Sequence, residues 1–164
     1  MFTYLRSLFS NDLLIELSEN KVSIKVFSSD VQYEDEPLIA IEKGANGEVI
    51  KAIGIAVKRL QTNNTSVHNP FKHPRSLVAD FFLAEKILQY GVKQVHQSRI
   101  RPAPRIIMHQ LEKTEGGLTS IEERVLRELA LGAGAREVLV HLGGRINVST
   151  DSFDAVKARS VATK

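Results

Sequence analysis

The chain has no cysteine. Disulfides and thiolate metal sites are therefore excluded, and the composition fits a reducing compartment. It also lacks any apolar run approaching the ~20 residues a spanning helix needs, and its N-terminus has neither an extended apolar core nor a small-residue cleavage site. On that basis the chain reads as cytoplasmic. Blocks of one charge are missing too: 22 Lys+Arg interleave with 19 Asp+Glu for a net charge of +3, and no arm of the kind that binds nucleic acid results. There is no internal repeat and no low-complexity run. Gly116-Gly117, Gly132 with Gly134, and Gly143-Gly144 match neither a dinucleotide fingerprint nor a Walker loop, and read as caps and turns. In a cytoplasmic chain the Asn63-Asn64-Thr65 sequon is simply a polar loop.

What is present is ordinary for one compact α/β domain: 164 residues, 43% hydrophobic and 25% charged. Leu13 to Leu17, the alternating Val22, Ile24 and Val26, and Leu38 to Ile41 predict a three-stranded meander, the first and third strands covered and the second wet on one face. Val49 to Val57 is compatible with a strand running into a short helix. Gln61 to Ser76, rich in Asn, Thr, Ser, His and Pro, predicts a loop.

Leu77, Val78, Phe81, Leu88, Val92 and Val95 recur at helical spacing behind a candidate N-cap, Ser76. Arg101-Pro102-Ala103-Pro104 ends that helix and leads into a strand from Arg105 to Met108. Thr119-Ser120-Ile121-Glu122 is a capping box, with Ile121, Val125 and Leu129 as the expected buried stripe. Gly132 or Gly134 ends the second helix, and Glu137 to Val140 returns as a strand. Val78, Phe81, Leu88, Ile107, Val125, Leu129 and Leu139 are the expected core. The tail, 145–164, is either a short helix capped near Thr150 or Asp151 or a mobile end.

His68, His73, His96, His109 and His141 show no ligand spacing, so no metal site is expected. Arg99, Arg101 and Arg105 flank two prolines as a solvated loop, the alternative being a site for an anion or nucleic acid, against which the lack of interleaved aromatics counts. No Ser/His/Asp grouping is visible by spacing, although such groups converge from distant positions. At the N-terminus, with ~100° per residue, Met1, Phe2, Tyr4, Leu5, Leu8 and Phe9 share one arc and Thr3, Arg6, Ser7 and Ser10 the other. Two readings fit: an interfacial membrane anchor formed by Phe2, Tyr4, Leu5, Arg6, Leu8 and Phe9, or a terminal helix folded onto its own domain.

Four stretches carry a family likeness when taken in order: Phe9-Ser10-Asn11-Asp12-Leu13, Val78-Ala79-Asp80-Phe81-Phe82, Lys93-Gln94-Val95-His96, and Leu131-Gly132-Ala133-Gly134-Ala135-Arg136-Glu137-Val138. Together they resemble the bacterial actin-like rod-shape-determining family, MreB, over roughly the first 140 residues. The resemblance implies half of an actin fold: a ribonuclease-H-like α/β domain of a three-stranded meander plus two helix–strand units. The implied layout is an amphipathic segment at 1–10, the actin-like subdomain at 11–144 with a small inserted subdomain at about 42–75, and the tail at 145–164.

The resemblance also locates a departure. The family's first phosphate loop reads Asp-Leu-Gly-Thr, where carboxylate, glycine and threonine receive magnesium and phosphate. Here the matching residues are Glu16-Leu17-Ser18-Glu19. Glu19 places negative charge where phosphate would sit, and like charges ~4 Å apart at an effective dielectric of ~20 cost several kcal/mol. Glu16, Ser18 and Glu19 are thus a vestigial nucleotide site. Where the family has Glu-Glu-Pro and its catalytic glutamate, this chain has Leu142-Gly143-Gly144, so no catalytic residue is expected. The second phosphate loop and the adenine pocket would belong to the other half of such a fold.

The expectation is a nonenzymatic MreB-like assembly module of the cell-shape cytoskeleton, without cofactor, at the inner face of the membrane. Its partners would be cytoskeletal proteins or further copies of itself. The alternative is an ATP-binding or ATPase fragment that pairs with another chain to complete a cleft for Mg-ATP; a third reading is a degenerate copy with no retained role.

Overall fold

The computed structural model describes residues 12–60, 63–96 and 101–162. The amphipathic segment with Phe2, Tyr4, Leu5, Arg6, Leu8 and Phe9 lies outside the described residues, as does Arg99.

Five strands form the main sheet: β1 Leu13–Leu17, β2 Val22–Val26, β3 Gln32–Asp35, β7 Arg105–Gln110 and β8 Glu137–His141, in spatial order β3-β2-β1-β7-β8. β1 pairs antiparallel with β2 but parallel with β7, and β7 parallel with β8. The two parallel steps are made through helices α1 Phe81–Val95 and α2 Ser120–Gly132, as crossovers require. A smaller sheet, order β5-β4-β6, joins β4 Ile39–Gly44, β5 Gly47–Ile53 and β6 Thr65–His68, with a 3₁₀ helix at Gly54–Arg59 after β5. The Asp35 carboxylate accepts from the Ile55 amide at 2.7 Å and so ties this 3₁₀ turn to the main sheet.

The expected third strand is corrected here. Leu38 to Ile41 leads into β4 of the small sheet, and the meander is completed instead by the polar β3. β2 is not wet on one face either, because Ser23 is buried against Glu34 and Lys25 reaches Glu16. β6 arises inside the stretch expected to be loop, recruited by pairing with β4. The strand-then-helix reading of 49–57 agrees with β5 and the 3₁₀ turn.

Strand alternation gives the sheet two different faces. Leu13, Ile15, Leu17, Ile24, Ile106 and Met108 form one, on which α1 packs Leu83, Ala84, Ile87, Leu88 and Val92, and α2 packs Leu126, Leu129 and Ala130. The N-cap of α1 is Asp80, which accepts from Leu83 N at 3.0 Å, not Ser76. The residues between stay out of the helix because the amides of Ala79 and Asp80 are taken by Pro70 O. α2 begins on the expected Thr119–Glu122 capping box. Starting α1 at Phe81 turns that residue out, leaving Phe81 41% exposed, while Ile121 is 74% exposed. The buried stripe of α2 is Leu126, Leu129 and Ala130, with Val125, Val78 and Leu139 only partly buried. Leu88, Ile107 and Leu129 are core as expected.

The opposite face is polar at both ends and apolar between them. Leu14, Ile107 and Leu139 make the apolar band, covered by α3 Phe153–Ala162 through Phe153 and Val156. The tail therefore carries the short helix expected of it, and the Ser152 hydroxyl, next to Asp151, accepts from Ala155 N at its start.

Candidate functional site

Parallel α/β sheets place ligands at the carboxyl ends of their strands, and here those ends carry an in-register polar row. Across β2, β1, β7 and β8 the aligned residues are Ser23, Glu16, His109 and His141. Alternation puts all four on the face that α3 only half covers. Glu16 is 2% exposed. Its Oε2 accepts from Lys25 Nζ at 3.3 Å and from Arg145 at 3.0 Å. A buried carboxylate needs such compensation, and a metal ion arriving at Glu16 would meet two cations already in place.

The β1–β2 turn is closed by its own side chain. Ser18 N and Ser18 Oγ both donate to Lys21 O, at 3.0 and 3.1 Å, and Ser18 Oγ accepts from Lys21 N at 3.1 Å. Glu19 donates its backbone N–H to the Glu112 carboxylate at 2.8 Å, accepts at its carbonyl from Asn69 at 2.9 Å, and sets its carboxylate 3.5 Å from Lys113 Nζ. Lys113 also donates to the carbonyls of His73 and Ser76. It holds φ at +56°, an uncommon conformation for a residue with a side chain. Glu19 thus carries its negative charge at this loop with Lys113 as its counter-charge, and the anion on the loop amide is Glu112. A phosphate at this loop would have to displace Glu112 and part Glu19 from Lys113. These residues do not fit a magnesium nucleotide as they stand.

Beyond β8, Leu142 is 51% exposed, and Gly143 holds φ at +142°, which favours glycine. The Gly143 carbonyl accepts from His109 Nε2 at 3.2 Å and the Gly144 carbonyl from His141 Nε2 at 2.9 Å. The two rings meet edge to face at 4.7 Å. His109 is 3% exposed and its Nδ1 has no partner. Its pKa is held below the ordinary imidazole value, first by burial and then by the neighbouring His141. A cavity of about 400 Å³ opens beside this loop, lined in part by His109, Gln110, Thr114, Gly117 and Arg145.

Two of the five histidines are therefore brought together, as ring neighbours. His68 contacts Ser66 on β6, His73 accepts from Arg75 N, and His96 caps α1. Among the described residues no group of three His, Asp or Glu could hold a metal ion. Arg105 is not in a solvated loop: it forks onto Asp12 at 2.8 and 2.6 Å, reaches Asp154 at 2.8 Å, and lies 4.3 Å from the Phe153 ring centre. Glu112, Lys113, His109 and Arg145 were missed by sequence reasoning. Only His109 had a signal, its alternation with Arg105 and Ile107 along β7.

Comparison with known proteins places this geometry. The family model described as MreB/Mbl protein matches residues 10–144. The cell shape-determining protein MreB of Pasteurella multocida is 34% identical over 163 aligned residues, covering 92% of this chain and 45% of that protein. MreB of Escherichia coli K12 is 35% identical over 146 residues, covering 85% and 40%. The chain thus spans less than half the length of these relatives. Among solved structures, MreB5 of Spiroplasma citri bound to ADP superposes with a TM-score of 0.59 at 18% identity, covering 79% of this chain and 38% of that one. A non-polymerising MamK mutant bound to AMPPNP gives a TM-score of 0.61 at 12% identity, covering 80% and 41%. Both show an actin-like fold, of which this α/β domain forms part, and with the family match over most of its length the chain belongs to the MreB/Mbl family of actin-like cell shape-determining proteins.

Proposed function

We propose that this chain is an assembly and interaction module of the bacterial cell-shape cytoskeleton that does not turn over ATP. The observation that carries this reading is the Glu19 backbone amide bound to the Glu112 carboxylate, with the Glu19 side chain against Lys113. The loop that would cradle a phosphate is committed to the chain's own β7–α2 connection. Leu142-Gly143-Gly144 stands where the catalytic carboxylate would be needed, and none of the three has a side chain that can orient water. Calorimetric titration of the intact protein with Mg-ATP, paired with a phosphate-release assay, tests it. No saturable binding below about 10 μM is expected, and an isotherm in that range, worth close to −7 kcal/mol, would overturn the reading.

Assembly is supported by apolar side chains at the N-terminal ends of α1 and α2. Phe81 and Ile121, both exposed, line with Val125 a cavity of about 540 Å³. Exposed apolar clusters of this kind serve protein contacts. The partners are further copies of this chain or other cell-shape proteins.

The place of action is the cytoplasmic face of the membrane, reached through the apolar arc of Phe2, Tyr4, Leu5, Leu8 and Phe9 with Arg6 among the headgroups. Co-sedimentation with anionic liposomes tests this. The intact chain pellets and a Phe2→Glu/Leu5→Glu variant stays in solution; equal pelleting removes the membrane from the proposal.

A second reading, a cleft for Mg-ATP completed by another chain, is favoured by the cavity at Gln110, Thr114, Gly117 and Arg145. Titrating Mg-ATP into the protein mixed with a longer MreB relative separates the two, since only this reading expects tighter binding by the mixture than by its components.

A further inference from the structure

The face of the sheet beneath the loop after β8 holds a buried histidine with one nitrogen used and one idle. His109 Nε2 lies 3.2 Å from the Gly143 carbonyl, an acceptor, so this nitrogen carries the proton and donates it. Nδ1 is then the bare acceptor, and it is buried without a partner. A second proton can enter only at Nδ1, creating a buried N–H with nothing to receive it. The ring can accept that proton at little cost only by reaching water, and the loop its own Nε2 holds lines with it the cavity from which water would come.

The surroundings make the balance close. From β1, the Glu16 carboxylate favours the protonated ring, but Glu16 is already paired with Lys25 from β2 and with Arg145 from the loop. From β8, His141 stands edge-on at 4.7 Å, and Arg145 adds positive charge. Asp151, farther along the connection, is turned to Arg159 at 2.8 Å. Burial, His141 and Arg145 together outweigh the Gly143 hydrogen bond and Glu16, which both favour the charged ring, so the pKa of His109 is lowered and the cost of its second proton is chiefly that of burial.

We propose that Gly143–Arg145 is an acid-released latch, closed by neutral His109 and opened when that ring takes a second proton. The closed latch has three polar fastenings: His109 to Gly143 O, His141 to Gly144 O, and Arg145 to Glu16. Opening hydrates His109 and frees Arg145 from Glu16, uncovering the polar end of the sheet. The helix beyond stays seated, because α3 has separate anchors in Arg105–Asp154, Lys157–Glu137 and the buried Phe153 and Val156. Acidification is thereby converted into a change at one surface without unfolding the domain.

The linkage sets the size of the response. Between the ordinary imidazole pKa near 6.5 and the lower value of the closed form, the open population rises about tenfold for each pH unit of acidification. The test uses the full chain: ring titration of His109 by NMR, with the backbone order of 143–145 read from heteronuclear NOEs at pH 8 and pH 5.5. His109→Gln supplies an N–H for Gly143 and cannot titrate.

The expected result is a His109 pKa below 6.5, loss of backbone order confined to 143–145 at acid pH in the wild type, and retained order in His109→Gln. A His109 pKa at or above 6.5, unchanged order, equal loss in β1 and β7, or the same acid response in His109→Gln each overturns the proposal. If His109→Gln does not fold, the wild-type ring titration and the confinement of the lost order decide it.

Discussion

The Glu112 carboxylate lies 2.8 Å from the backbone nitrogen of Glu19, a residue 93 positions earlier in the chain. An anion on a turn amide is what a phosphate loop is built to receive, and here the chain supplies its own. Glu112→Ala should therefore loosen the β1–β2 turn. A charge-assisted hydrogen bond contributes ~1.5 to 3 kcal/mol when well shielded, and this one is solvent-accessible, so about 1 kcal/mol of destabilisation is expected in urea titration. Hydrogen exchange at Glu19 should accelerate while β7 stays protected. Unchanged exchange at Glu19 would show that the contact holds nothing.

Arg105 fastens the opposite end of the same face. Its fork engages Asp12, whose side chain is 7% exposed, and also reaches Asp154 of α3. Arg105→Ala leaves that carboxylate buried and unpaired, and should cost roughly 3 to 5 kcal/mol. Asp12→Asn in the same chain should recover part of it, since the stranded charge is gone. Arg105→Lys should not restore the wild-type value, because an ammonium cannot make two parallel bonds and lie on the Phe153 ring. Full recovery with lysine would contradict the geometric argument.

Much of the fold was legible because its signals are local. The Thr119–Glu122 capping box, the apolar β1 and the β7 strand behind Arg101 to Pro104 depend on neighbours a few residues away. What failed depends on distant partners. Gln32–Asp35 has no apolar alternation, and it is a strand because β2 offers a free edge. Thr65–His68 exists through β4 in the same way. Leu38 to Ile41 is apolar in either sheet, and no local pattern says which sheet recruits it.

A one-residue choice within a helical period explains another pair of outcomes. Ile121 fits the apolar period of α2 yet is 74% exposed, whereas Leu126 is 1% exposed. Leu126→Ala should cost roughly 2 to 5 kcal/mol through lost burial and a cavity. Ile121→Glu should change monomer stability by no more than about 0.5 kcal/mol. If the exposed apolar end of α2 serves assembly, Ile121→Glu instead lowers the sedimenting oligomer fraction. A large loss of monomer stability in Ile121→Glu would contradict its exposed position.

Gly91 tests the fit of α1 on the sheet. A Cβ at this position would lie 2.6 Å from Ile24 Cδ1 and 2.9 Å from the Tyr33 ring. Helix propensity alone favours alanine over glycine by about 1 kcal/mol. Overpacking costs ~1 to 3 kcal/mol, and Tyr33 is also held by Tyr90 at 5.9 Å between ring centres, so it cannot simply swing away. Gly91→Ala is expected to be net destabilising by thermal denaturation. A raised Tm would mean that α1 can shift outward at little cost.

The site was less legible than the fold, and its residues show why. Glu16, Ser18 and Glu19 are expected from likeness to a family motif, and they lie at the end of β1 and in the turn after it. Their partners could not be read. Lys25 and Arg145 reach Glu16 from 9 and 129 positions away, and Lys113 reaches the His73 carbonyl from 40. Each is an exposed-type residue in an unremarkable stretch, brought in by the neighbouring strand β2 or by the connections that follow β7 and β8.

The start of α2 couples a local motif to pH. Glu122 accepts from the Thr119 backbone N–H and the Thr119 hydroxyl, both at 2.8 Å. These bonds hold its pKa below the ordinary carboxylate value, the backbone bond contributing most. A carboxyl whose folded pKa is depressed contributes stability above its unfolded pKa and loses it as pH falls through the folded one. Thr119→Ala removes the hydroxyl from both directions of the box and should cost about 1 kcal/mol at neutral pH. The backbone bond to Glu122 remains, so part of the depression should survive. The difference in stability between wild type and Thr119→Ala should therefore narrow as pH falls below about 4.5, where the carboxylate is being protonated in the unfolded chain. A difference that stays constant from pH 7 to pH 3 would show that the hydroxyl acts on the Glu122 amide alone.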